Sequence, residues 1–280
     1  MHCAVRSSTT GFSNFSYGKK GGDEYEQQSV LFSVIIYNMI SRWSNRGGIT
    51  GSFEVSPDLD LSGFIVLEAE ISFNHPLHPI FSQALARIGL LEPSRKLTHE
   101  ELQLKIASFY SAISKEMNNG CVELQQKWNS KAETFLRYAD DLFDNSYHGP
   151  THFVAYPSIW RVYIQQPAQH AISFPLQRDV HDSDDAFYVV LHELLHIFFF
   201  EFLGSTDLLR GRSDIWDISE VFNILVLRQP QFAELYTNHT VTAYPQHQKV
   251  VSILENLLSG ANSAKNIIES IYHHIDRHSW

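Results

Sequence analysis

The chain has 280 residues, of which 44% are hydrophobic and 13% aromatic, and this composition supports a folded core and excludes wholesale disorder. Its 21 basic and 31 acidic residues give a net charge of −10, so a surface for nucleic acid or anionic lipid is not expected. Cysteine occurs only at Cys3 and Cys121, which excludes a disulfide framework and a cysteine-based metal site. Any bound metal must therefore be held by carboxylates and by the histidines, of which there are 15.

The apolar stretches of the sequence are too short to predict a membrane span. None reaches the run of about 18 or more apolar residues that would cross a bilayer. The stretch at residues 30–40 follows acidic residues rather than a basic segment and has no evident cleavage site, so it fails as a signal peptide. These features predict a cytoplasmic protein without a membrane span.

The hydrophobic pattern predicts a mobile leader at residues 1–26 and a single α+β domain at residues 27–280. This domain can be divided into a helical lobe at 77–145 and a second lobe at 151–280, which carries the motif described below. In the first part of the domain, the periodicity predicts a helix over 27–43 and a strand over 63–73. Three further helices are predicted over 79–90, 98–117 and 122–143, the second of which begins at a capping box of Thr98 and Glu101.

After residue 150 the pattern changes to short β-rich runs and then returns to helices. Strands are predicted over 152–156, 160–164 and 171–176. Acidic residues at 182–185 form a good helix start, and a strongly apolar helix is predicted over 186–203. Three more helices, over 215–227, 248–258 and 261–275, complete a helical C-terminal part.

The apolar helix over 186–203 contains the pattern His-Glu-x-x-His at residues 192–196. At about 100° per residue, His192 and His196 differ by about 40°, so both imidazoles leave one face of the helix and can share a cation. Glu193 lies about 100° from His192, where it can reach a water on the open position of a metal. Core histidines satisfied by hydrogen bonds are the alternative, but three ionisable groups in a buried helix are costly unless they are paired or coordinated.

The residues around this motif are uncharged and mostly bulky, and the segment resembles the active-site helix of zincin metallopeptidases. The neighbours that fit the zincin pattern are Val189, Val190, Leu194, Leu195, Ile197 and Phe198. The resemblance covers about residues 186–225. It implies a zincin-like fold, with a small mixed sheet packed on an active-site helix and a helical C-terminal part, together with Zn²⁺ as cofactor and a peptide or protein substrate.

The metzincin branch of the family is excluded because Phe199 and Phe202 stand where it requires Gly and His. The resemblance to the gluzincin branch implies that the third metal ligand is a glutamate on a later helix. Glu220 lies in the helix predicted over 215–227 and is the residue we assign. Asp207, Asp214 and Asp217 stay open as alternatives.

Further groups are expected around the ligands. A metal-bound imidazole usually donates its other N–H to a carboxylate or carbonyl, and Asp217 and Asn223 each lie three residues from Glu220. A donor to the substrate oxyanion is also expected from the later part of the chain. The sequence does not choose among its candidates, which are Tyr236, His239, Tyr244 and His247.

These residues predict a zinc-dependent peptide-bond hydrolase, in which His192, His196 and Glu220 hold Zn²⁺ and Glu193 is the general base. The alternative is a zincin-like fold that serves as a catalytically inert binding or regulatory module. Since Pro175 is typical of an edge strand, an extended peptide is expected to pair with the strand over 171–176, which directly precedes the metal helix. An interior strand that ends at its proline is the other interpretation. The oligomeric state is left open.

Overall fold

The structure is a computed structural model that describes residues 49–70, 78–90, 98–144, 152–166, 169–236, 243–244, 246–258 and 263–278. Within these residues the protein is α+β, with a small mixed four-stranded sheet and a larger helical part, as the sequence predicts. The predicted leader at 1–26 and the predicted helix over 27–43 lie outside the described residues. The division of the domain into two lobes stays a prediction.

The strands are β1 (Thr50–Phe53), β2 (His152–Ser158), β3 (Gln165–Gln166) and β4 (Ala171–Pro175). The helices are α1 (Pro57–Glu70), α2 (His78–Arg87), α3 (His99–Leu142), α4 (Ser183–Gly204), α5 (Ile215–Leu227), α6 (Pro230–Ala233), α7 (Gln248–Leu257) and α8 (Ala264–His278). A single 3₁₀ turn at Gln177–Asp179 joins β4 to α4. Five predicted helices are confirmed, as α2, α4, α5, α7 and α8. Their observed ends differ from the predicted ends by up to three residues.

The strands follow the order β1-β2-β4-β3, in which β1, β2 and β4 are parallel and β3 is antiparallel to β4. The prediction that residues 171–176 form an edge strand is wrong, because β4 lies between β2 and β3. Pro175 is the last residue of this interior strand, where its missing N–H costs little. Among the described strands, β1 and β3 are the two edges, and β3 lies beside the strand that leads to α4.

Asp182 is the N-cap of α4. Its side chain accepts hydrogen bonds from the N–H groups of Asp184 (2.8 Å) and Asp185 (3.1 Å). This cap satisfies two of the free donors of the first turn. The helix is long and apolar enough to cross a membrane, yet 89% of its most apolar window is buried inside the protein. Such burial fits the core helix of a soluble protein, and α4 packs between β4 and α5.

The two helices predicted over 98–117 and 122–143 are joined in α3, which has a kink at Ile113 rather than the predicted break at 118–121. The predicted capping box is present: the Thr98 hydroxyl accepts from the Glu101 N–H (3.2 Å), and the Glu101 carboxylate accepts from the Thr98 N–H (3.0 Å). Gly120 lies within the helix, and the one non-helical residue is Ile113, with φ −117° and ψ 15°.

One buried stripe continues along the whole of α3, with residues spaced three and four apart. Its N-terminal half packs with α1 and α2 in one hydrophobic cluster, and its C-terminal half packs with the sheet and α4 in a second, larger cluster. The stripe consists of Leu102, Ile106, Tyr110, Ile113, Met117, Cys121, Leu124, Trp128, Phe135, Ala139 and Leu142.

Two strand predictions are wrong. Residues 63–70 belong to α1, because Leu61, Phe64 and Leu67 are buried at a three-residue spacing that suits one face of a helix. The predicted strand over 160–164 is interrupted by Arg161, whose φ of 59° lies in the left-handed region, and the strand β3 begins only at Gln165.

A buried carboxyl, that of Asp60, joins α1 to α3 and to the residues after β2. Its Oδ2 accepts hydrogen bonds from the Tyr110 hydroxyl (2.9 Å) and the Ile159 N–H (3.1 Å). The indole N–H of Trp160 donates to the main-chain oxygen of Asp60 (2.8 Å). Burial raises the pKa of Asp60 to about 7, against the lowering effect of hydrogen bonds from Ser158, Ile159 and Tyr110.

Candidate metal centre

The packing of α4 against α5 brings together His192, His196 and Glu220. The two imidazole Nε2 atoms lie 3.0 Å apart. The Glu220 carboxylate lies against both, with Oε2 3.3 Å from the His192 Nε2 and Oε1 3.4 Å from the His196 Nε2. The three sequence-assigned ligands thus form one cluster, in which one nitrogen or oxygen atom from each residue lies within 4.8 Å of the others.

This cluster is buried and electrostatically coupled. His196 is 1% exposed and Glu220 4%. Burial alone would raise the pKa of the Glu220 carboxyl, but His196 and His192 hold it well below its usual range. Burial alone would lower the pKa of His192, but the hydrogen bond and charge of Glu220 outweigh burial and raise it. The site therefore stabilises a carboxylate that faces positive charge.

The donor atoms fit a tetrahedral metal ion. Two imidazole Nε2 atoms 3.0 Å apart, with a carboxylate against both, form an arrangement that is satisfied by a proton on one nitrogen or by a metal ion that all three groups share. Zinc bonds of about 2.0–2.1 Å in a tetrahedral arrangement place neighbouring donor atoms about 3.3 Å apart. The observed separations of 3.0, 3.3 and 3.4 Å are close to that spacing. Two imidazoles and one carboxylate are also a common ligand set for catalytic zinc.

Glu193 is 5% exposed and faces the edge strand β3 rather than solvent. Its Oε2 accepts a long hydrogen bond, 3.4 Å, from the side-chain amide of Gln165. Burial raises the pKa of Glu193, partly offset by the nearby His196 and His192. A raised carboxyl pKa suits a group that must take up a proton and release it again.

The structure adds an aromatic wall that the sequence reasoning missed. The Trp216 indole stacks on the His196 imidazole, with ring centroids 4.9 Å apart and an interplanar angle of 10°. The Phe200 ring also stacks on the Trp216 ring, with ring centroids 6.1 Å apart and an interplanar angle of 20°. Trp216 is four residues before Glu220 and so shares its face of α5, a spacing from which the stacking position was predictable.

Asp217 and Asn223, the expected hydrogen-bond partners of the His192 and His196 imidazoles, bind other groups. The Asn223 side-chain amide donates to the main-chain oxygen of His192 (3.0 Å), and this hydrogen bond joins α5 to α4. Asp217 instead lies 2.9 Å from the Nε2 of His247. The Nδ1 atoms of His192 and His196 are buried and have no hydrogen-bond partner within the described parts of the chain.

The structure distinguishes among the candidate oxyanion donors. The Tyr236 hydroxyl donates to the main-chain oxygen of Leu227 (2.5 Å), and the His247 ring is 1% exposed and pairs with Asp217. His239 lies outside the described residues. Tyr244 is 40% exposed. Burial of its hydroxyl and, to a lesser extent, the negative charges of Glu220 and Glu193 raise the pKa of Tyr244.

The three alternative third ligands are not in the cluster. Asp217 pairs with His247, as described above. The Asp207 side chain is 86% exposed and pairs with Arg210 at 3.3 Å. Asp214 immediately precedes α5, and its carboxylate accepts two hydrogen bonds from Arg212, at 2.7 and 2.6 Å. The geometry therefore favours Glu220.

Comparison with known proteins gives no match to the chain among family models, curated proteins or solved structures. The interpretation of the site consequently depends on the sequence motif and on the geometry described above.

Proposed function

We propose that the protein is a zinc-dependent peptide-bond hydrolase with a zincin-like fold, of the gluzincin type, located in the cytoplasm. The observation that carries the proposal is the convergence of His192, His196 and Glu220 within 4.8 Å. Glu193, the residue after the first of these ligands, is positioned on the same helix. The Nε2 atoms of the two histidines and the Glu220 carboxylate would hold the metal.

When bound, zinc supplies a Lewis acid that activates water and polarises a carbonyl group. Glu193 accepts the proton of the attacking water on its carboxylate and delivers it to the leaving nitrogen, which it can do because its carboxyl pKa is raised. The Tyr244 hydroxyl is the donor for the developing oxyanion, since the other described candidates are engaged elsewhere. Trp216 and Phe200 cover one face of the His196 imidazole, which limits access of water to that ligand.

A peptide substrate has an edge strand available beside this cluster. The Ser173 N–H donates to the Ile164 oxygen at 3.0 Å, so the next pair along the antiparallel ladder, Gln165 and Ile172, is the non-hydrogen-bonded kind. The main-chain N–H and C=O of Gln165 therefore point away from β4, toward the side of β3 on which no described strand lies. An extended substrate can pair with these groups regardless of its side chains.

Metal analysis tests the ligand set. The purified chain should hold about one zinc per molecule. The variants His196→Ala and Glu220→Ala should lose most of it, because each removes one of three protein ligands. Asp207→Ala is the matched control, since it removes an exposed carboxylate outside the cluster. Full zinc retention by both ligand variants would refute the site.

Cleavage of a peptide library tests the chemistry. Glu193→Gln should retain zinc and fold but lower turnover by about 100-fold or more, because the amide cannot accept the proton. A wild-type chain that binds zinc yet cleaves no peptide would instead favour the inert binding or regulatory module. A chain without stoichiometric zinc would refute both the cofactor and the enzyme.

A further inference from the structure

We propose that Gln165 is a positioning residue of the active site, whose side chain orients Glu193 while its main chain meets the substrate. The inference rests on the proposed function and deepens it, because it states how the docking strand and the general base are connected. Gln165 is not part of the His-Glu-x-x-His motif and is 27 positions before its first histidine, His192.

The contact itself is specific. The Gln165 amide nitrogen lies 3.4 Å from the Glu193 Oε2, and this is the side-chain hydrogen bond that Glu193 makes within the described residues. Glu193 is 5% exposed, so water does not readily replace a lost donor. An amide at this position donates without carrying a charge or titrating. It can therefore fix the carboxylate rotamer without competing for the proton that Glu193 must transfer.

The neighbouring residue holds the strand in place. Gln166 points to the opposite side of β3 and is 4% exposed. Its amide donates to the main-chain oxygen of Leu59 at 2.8 Å and also to the Tyr156 hydroxyl. These bonds join β3 to α1 and β2, so a strand of only two residues has a defined position. The side chain of Gln165 is consequently presented to Glu193 from a fixed backbone.

The two roles of Gln165 use different atoms. Its side-chain amide donates to Glu193, and its main-chain N–H and C=O face the edge of the sheet on which no described strand lies. A peptide that pairs with this edge is therefore placed by the same residue that orients the general base. Removal of the side-chain amide should affect the catalytic step and leave peptide binding intact.

The experiment uses Gln165→Leu in the zinc-loaded full chain, with Gln177→Leu as the matched control. Gln177 also donates its amide to a glutamate, Glu123, at 3.0 Å, but this pair is exposed and lies outside the cluster. We expect Gln165→Leu to lower kcat about tenfold, the effect of losing a hydrogen bond to a charged group, with KM and zinc content within about twofold of wild type. Gln177→Leu should match wild type in all three.

A second measurement is independent of turnover. The dissociation constant of a fluorescent peptide is measured by anisotropy on the inactive Glu193→Gln chain, with and without Gln165→Leu. We expect agreement within about twofold, because the leucine variant retains the main-chain N–H and C=O. A third variant, Gln165→Pro, lacks the N–H and should weaken binding by about threefold or more.

The outcomes separate this inference from the proposed function. If the wild type cleaves peptides and Gln165→Leu has an unchanged kcat, the inference is overturned and the proposed function stands. If Gln165→Leu weakens peptide binding as much as it lowers kcat/KM, Gln165 contacts substrate rather than positioning the base, and the inference is again overturned. A wild type that neither binds zinc nor cleaves peptides overturns the proposed function and the inference together.

Discussion

The buried carboxyl of Asp60 should make the stability of the protein depend on pH, and Asp60→Asn should remove that dependence. The asparagine oxygen can still accept from the Tyr110 hydroxyl and the Ile159 N–H, which bond to Asp60 at 2.9 and 3.1 Å. The asparagine side chain does not ionise. The substitution thus removes the titration while it keeps the two hydrogen bonds.

The sign and size of the effect follow from the pKa. Burial raises the pKa of Asp60 from 3.8 to about 7, so the folded chain binds the proton more tightly than the unfolded chain. A carboxyl of this kind contributes stability that is fully present below pH 3.8 and is lost as the pH rises through about 7. At 1.36 kcal/mol per pKa unit, the whole loss is about 4 kcal/mol. About 2–3 kcal/mol of it falls between about pH 5 and pH 8.

Urea unfolding of both proteins at pH 5 and pH 8 measures this loss directly. All other titrating groups are common to the two chains, so the difference in free energy of unfolding isolates Asp60. Relative to Asp60→Asn, the wild type should lose about 2–3 kcal/mol of stability from pH 5 to pH 8. An equal pH dependence in the two proteins would refute the reasoning, because Asp60 would then ionise as easily in the folded as in the unfolded chain.

Three further predictions concern the core, a helix cap and the substrate. Phe135→Ala should lower the free energy of unfolding by about 3–5 kcal/mol in urea, because the ring is 0% exposed and stacks on Phe198; a loss below about 1 kcal/mol would contradict the packing. Thr98→Ala should cost about 1 kcal/mol by the same assay, since it breaks the capping box of α3, and no change would show that the cap is not formed in solution. Peptides N-methylated at the amides that face β3 should be cleaved more slowly than unmethylated ones, and equal rates would exclude strand pairing.

The sequence predicted much of the helical part of the fold. It also predicted the clustering of His192, His196 and Glu220. The long apolar helix with acidic residues at its start has a strong local pattern, and α4 follows it. The spacing of His192 and His196 fixes their common face without knowledge of the tertiary structure. Glu220 needed one further condition, that two helices pack face to face, and the structure shows this packing.

The errors have physical causes. In α1 the sequence fits two patterns. The order Phe64, Val66, Glu68 and Glu70 fits the alternation of a strand, whereas Leu61 and Phe64 fit the helical period. Because the segment is short, the sequence alone does not separate these two patterns. The strand β3 has two residues and therefore no period at all. Its existence depends on the ladder with β4.

The contact between Gln165 and Glu193 is also invisible in the sequence. A neutral side chain carries no motif, and its partner is 28 positions away on another element. Only the tertiary placement of β3 beside α4 brings the two together. Functional groups of this kind are found from contacts rather than from patterns.

The helix α3 has a consequence for the way in which the protein opens. The segment after its kink at Ile113 carries Met117, which belongs to one hydrophobic cluster, and Cys121, which belongs to the other. Neither cluster can come apart fully while α3 stays in register with the other. Amide protons near Cys121, where the two clusters meet along the helix, should therefore exchange with solvent deuterium only in openings that involve both clusters, and equal protection in the two cores would show that they unfold together.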